Sequence, residues 1–136
     1  MTTFTHIAIA GAIGEKIQNP FLAYFAGILS HLVLDKVPHY WPESDKAKGY
    51  IIGGDTVFSV FLLSGIYFLP SSNHLGLFCG ALGGATVDAV FVLLLRSKGK
   101  LAEWHTKRQL HKVEPCWILT DVLLTVIGLV AIWMWH

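Results

Sequence analysis

The sequence predicts an all-α protein, a polytopic membrane bundle of four to five helices forming a single integral membrane domain over residues 1–136. Three observations carry that reading. Of the 136 residues, 54% are hydrophobic and only 14% charged, and the mean hydropathy of +0.56 is too high for a water-soluble domain of this length. Several apolar runs reach or approach the roughly 20 residues that cross a bilayer. Basic residues gather in two connecting segments and are missing from a third, the asymmetry expected of cytoplasmic and external loops.

Taken in order, the first run, residues 3–17, is interrupted by His6 and closes on Glu15 and Lys16. It either crosses with local thinning of the bilayer or lies half-inserted. No Lys or Arg precedes Lys16, so the charged start of a signal peptide is missing. Residues 21–37 form a slightly short span that follows Pro20 and stops before Pro38, which disfavours helix at Val37. Residues 51–69, 75–95 and 116–135 are the remaining spans, with Pro42, Pro70 and Pro115 near their ends. Cys79 and Cys116 fall near opposite membrane faces, so no structural disulfide is expected.

Arg96, Lys98, Lys100, Lys107, Arg108 and Lys112 share one loop, and Lys36, Lys46 and Lys48 another; none lies between Pro70 and His74. The positive-inside rule makes the first two loops cytoplasmic and the third external, in a multi-pass protein. Tyr40, Trp41, Tyr50, Trp104 and Trp117 then mark the inner interface, and Tyr67, Trp133 and Trp135 the outer one. A net charge of +1 with neutral histidines gives no reason to expect a nucleic-acid partner.

The chemistry concentrates in residues 27–41. His31 and Asp35, four residues apart, share one helix face, and the turn at Pro38 folds His39 back toward them. Two imidazoles and a carboxylate converging in this way make half of a divalent-metal site. The alternative is a helix end dipping polar side chains into the membrane interface. Asp55, Asp88 and Asp121 lie inside apolar runs, where carboxylates are costly and face partners in the bundle. On the expected topology all of these fall in one layer near the cytoplasmic side, as does His6 if the first run crosses. His105 and His111 belong to the adjacent basic loop, as ligands or as solvated loop histidines.

Small residues mark the faces turned toward other helices: Ala23 and Gly27 lead to His31, and Gly76, Gly80 and Gly84 lead to Asp88. The glycine stripe taken alone reads as a packing seam. Lys16 and Lys36 stand at the ends of their runs and no Lys or Arg lies deeper in the apolar runs, so the layer requires protons or a bound cation. The candidate ligands are His31, Asp35 and His39 with His6, Asp55, Asp88, His105 and His111, for Zn²⁺ first and Mn²⁺ or Fe²⁺ as alternatives. Asp121 is the candidate catalytic base, with Asp88 as the substitute. Lys107, Arg108 and Lys112 either attract an anionic lipid head group or are ordinary positive-inside residues.

The run Thr5-His6-Ile7-Ala8-Ile9-Ala10-Gly11-Ala12-Ile13-Gly14, followed by residues 27–39, resembles the small prokaryotic inner-membrane proteins known as membrane-bound metal-dependent hydrolases. The pattern of that family, an early His and then Ser-His-x-x-x-Asp-x-x-Pro-His, is matched by His6 and by Ser30, His31, Asp35, Pro38 and His39. Residues 80–88 resemble the later Gly-rich segment ending in Asp, here Asp88, without the Pro and following His of the Pro-Asp-x-Asp-His form that many members carry. His105 and His111 loosely match a late His pair. More distantly, the His31 to His39 run is similar to zinc-dependent phospholipase C. The resemblance implies a metal-dependent hydrolase acting on a lipid ester or phosphoester at the cytoplasmic face, with membrane lipid as its partner. The residues by themselves leave two further functions open: a cation or proton conductor using the Asp layer, and a structural subunit of an oligomer or larger membrane assembly.

Overall fold

In the computed structural model the described residues are 1–94, 111–112 and 114–135. Among them the chain forms five α-helices: α1 (Thr3–Glu15), α2 (Pro20–Leu34), α3 (Asp45–Gly65), α4 (His74–Leu94) and α5 (Ile118–Met134). Two-residue strands β1 (His39–Tyr40) and β2 (His111–Lys112) pair in parallel, His39 opposite His111 and Tyr40 opposite Lys112. The protein is therefore all-α in its architecture. α3 and the 3-10 turn that continues it, Asp45–Phe68, make 24 residues long and apolar enough to cross a membrane; Pro20–Leu34, His74–Val90 and Ile118–Met134 are apolar but shorter.

The run whose crossing the sequence left open is the hub. α1 packs against each of the other four helices. Its composition explains this: Ala8, Ala10, Gly11, Ala12 and Gly14 give it a narrow profile, and all are buried. Its Ile7 and Ala12 form the apolar core with Ile66, Leu77, Ala81, Ala85 and Ile132 around it.

Local sequence sets the helix ends. Asn19 accepts the Phe21 and Leu22 amides at 3.0 and 3.2 Å with Pro20 in the first turn, so α2 starts there. Asn73 starts α4 by accepting the Gly76 amide at 3.0 Å, and its own amide group donates to the carbonyls of Glu15 and Ile17. That side chain ties the end of α1 to the beginning of α4. α3 begins at Asp45, several residues before the apolar run, because Ser44 leaves the helical region and Asp45 favours a first turn.

The glycine stripe is a seam. A Cβ on Gly27 would collide with the Gly80 carbonyl, and one on Gly80 with the carbonyl of Ala10. α4 thus approaches α2 and α1 backbone to backbone, as small residues permit. Gly53 on α3 has nothing within 4 Å of such a Cβ. Gly27→Ala is expected to destabilise the protein by about 1–3 kcal/mol through overpacking. Gly53→Ala should be neutral or stabilise by up to about 1 kcal/mol through helix propensity. Unfolding of both variants in detergent checks this, and equal midpoints would refute the seam.

Candidate metal centre

The first amides of any helix lack intrahelical acceptors, and Thr2 gives α1 no side-chain cap. Neighbouring helices supply the acceptors instead. The Thr2 amide donates to Asp121 Oδ1 at 3.2 Å, and the Thr3 and Phe4 amides donate to the two oxygens of Asp55 at 2.8 and 3.0 Å. The Thr3 hydroxyl donates to Asp88 Oδ2 at 2.7 Å, and the Met1 amino group stands 3.8 Å from Asp35 Oδ1. α2, α3, α4 and α5 each bring one aspartate, at or just beyond the helix, to the start of α1. Carboxylates are favoured there by the positive end of the helix dipole. Burial lowers the pKa of the Met1 amine, against the pull of Asp35, Asp121, Asp88 and Asp55.

Asp55 and Asp121 therefore have partners of their own in the amides of α1. Asp121 also takes the buried Thr5 hydroxyl at 3.4 Å, and that hydroxyl lies 2.8 Å from the hydroxyl of Thr125. The contribution of Thr2, Thr3 and Thr5 was missed in the sequence. The signal was available, since a Thr-rich stretch before an apolar run is a helix start.

A second set of side chains is arranged differently. The rings of His6 and His31 stack at 3.6 Å with 19° between their planes, and both are fully buried. His6 Nε2 lies 3.3 Å from Asp35 Oδ1; His31 Nε2 lies 3.4 Å from Asp35 Oδ2 and 3.6 Å from Asp88 Oδ1. His6, His31 and Asp88 each offer one ligand atom within 4.8 Å of the others, so this group could hold a metal ion. His31 Nδ1 lies 2.8 Å from the Gly84 carbonyl. A carbonyl only accepts, so Nδ1 carries the proton, and in the neutral ring Nε2 turns a lone pair toward the carboxylates.

The separations are informative. Charge-assisted N–H···O bonds are about 2.7–2.9 Å long, shorter than any of the three contacts. Ligand atoms held at about 2.0–2.1 Å around a tetrahedral ion stand about 3.3 Å apart, close to the distances seen. His6 Nδ1 is buried and has no hydrogen-bond partner among the described residues, so the orienting bond that Gly84 gives His31 is missing for His6.

His39 is also buried, with Nδ1 3.0 Å from the Val37 carbonyl. Burial pushes its pKa down to about 4, the Met1 amine adding to the effect and Asp35 and Asp88 opposing it. Its ring is therefore neutral at neutral pH. It lies outside the group formed by His6, His31 and Asp88.

Of the residues expected at the site, the fold thus brings together His6, His31, Asp35 and Asp88. It directs Asp55 and Asp121 to the amides of α1. The main chain of His111 pairs beside His39. The His111 side chain, His105, Lys107 and Arg108 lie outside the described residues. Compared with known proteins, the chain matches no family model, no curated protein and no solved structure.

Proposed function

We propose that this chain is a multi-pass, metal-dependent hydrolase of the inner membrane, acting on a lipid ester or phosphoester at the cytoplasmic face. The observation that carries the reading is His31: its Nδ1 is tied to the Gly84 carbonyl, and its Nε2 faces two carboxylates at 3.4 and 3.6 Å. A ring nitrogen facing two carboxylates is a place where a cation is held. The donor set of His6, His31, Asp35 and Asp88, two nitrogens and two carboxylates, suits Zn²⁺, with Mn²⁺ or Fe²⁺ as alternatives.

When bound, such an ion polarises a carbonyl or phosphoryl oxygen and acidifies water. The chain's own residues supply the rest. Asp121, held by the Thr2 amide and the Thr5 hydroxyl, lines a cavity between α3 and α5 and is the group to accept a proton there. Asp88 is the substitute, although its Oδ2 already accepts from Thr3. Lys107, Arg108 and Lys112 follow in the basic loop and favour an anionic head group.

Ile7, Leu77 and Ala81 in the middle of the bundle are fully buried and apolar, which disfavours the conductor reading. A purely structural subunit leaves the stacked imidazoles without a role. The hydrolase reading is therefore preferred. Reconstituted protein incubated with mixed phospholipids should release products detectable by mass spectrometry. Asp121→Asn should keep its metal and lose turnover by about 10²–10⁴-fold, the usual worth of a positioned base. Metal-loaded protein that releases nothing from any lipid or soluble ester, yet carries ion current, would transfer the reading to the conductor.

A further inference from the structure

We propose that the cavity between α3 and α5 receives one acyl chain of a membrane lipid, drawn sideways from the bilayer. This rests on the hydrolase reading and deepens it by assigning where the substrate's chain lies. α3 and α5 both pack on α1 and leave between them a space of about 550 Å³. Small-molecule sites span about 300–1,000 Å³, mostly apolar with a few polar groups.

The lining has that character. Phe4, Phe58, Val122 and Val126 form apolar walls, and Asp55 and Asp121 stand on the side nearest α1. Both carboxylates already accept α1 amides, so the polar wall has partners within the protein. From Tyr50 to Phe58, both lining residues, α3 rises about 12 Å, a depth that suits a hydrocarbon segment better than a compact soluble ester.

The approach identifies the occupant. Val57 and Phe61 on α3, and Leu119 and Leu123 on α5, are exposed on the surfaces of the two helices that form the cavity. In a bilayer such faces are covered by acyl chains, which are therefore the molecules available to enter.

The test is photolabelling of the full chain in vesicles of phosphatidylethanolamine and phosphatidylglycerol. A trace of the phosphatidylglycerol carries a diazirine at the end of one acyl chain. After photolysis, mass spectrometry should find label on Phe58, Val122 and Val126 severalfold above that on exposed Phe25 and Leu29 of α2. Gly54 lines the cavity, and a Cβ there meets nothing within 4 Å, so Gly54→Phe fills the space without meeting backbone. It should remove the excess label. Gly53→Phe, equally open but outside the lining, should not. Val122→Trp serves as the second filling variant if Gly54→Phe fails to fold.

Even label over all outward faces, or an excess that survives filling, overturns the proposal. Excess label without any hydrolysis supports the cavity assignment and removes the enzyme reading. Hydrolysis with even label does the converse.

Discussion

Replacing Asp35 with Asn is expected to abolish binding of the divalent metal proposed for this site. Asp35 Oδ1 and Oδ2 stand 3.3 and 3.4 Å from the Nε2 atoms of His6 and His31, so this carboxylate bridges the two imidazoles. Asn preserves the shape, removes the negative charge and leaves a weaker oxygen donor. Loss of a partner that only orients a ligand lowers metal affinity about 10–100-fold; loss of a ligand carboxylate should exceed that range. Elemental analysis of protein purified without chelators reads the stoichiometry, and Zn²⁺ titration of the apoprotein reads the affinity. His31→Ala should behave in the same way. Wild-type protein that purifies without metal and binds none on titration would remove the site.

Asp55→Ala should have the opposite signature. Its two oxygens accept the Thr3 and Phe4 amides, and the Ser59 hydroxyl lies 3.3 Å from Oδ1. Ala strands both amides at the start of the central helix. Each amide left without an acceptor costs about 1–3 kcal/mol, and partial burial sets the pair at about 2–3 kcal/mol. The loss also releases α3 from one of its polar ties to α1, while the ligand atoms of His6, His31 and Asp88 come from α1, α2 and α4. The variant should therefore unfold earlier in detergent with metal content unchanged. Normal stability with lost metal would return Asp55 to the ligand set that its sequence position suggested.

The contrast between these two carboxylates shows where sequence reading stops. His31 and Asp35 converge through a local rule, four residues on one helix face, and the structure places their atoms 3.4 Å apart. The Gly76, Gly80 and Gly84 stripe reads as a packing seam for an equally local reason, since only small residues let backbones meet. Its further role, a Gly84 carbonyl that sets the tautomer of His31, depends on how α2 is rotated against α4.

Apolar composition and periodicity determined that this chain is helical and where its helix-forming runs lie, because both depend on residues near in sequence. They also singled out Asp35, Asp55, Asp88 and Asp121, which gather at the start of α1. Only the tertiary structure decided that the short first helix is the hub, because centrality depends on what surrounds it. It alone divided Asp55 and Asp121, which accept the amides of α1, from Asp35 and Asp88, which face the stacked histidines. All four look alike in sequence, acidic residues in or beside apolar runs. The rotation and depth of each helix against α1 give them different partners, and no local pattern encodes that rotation.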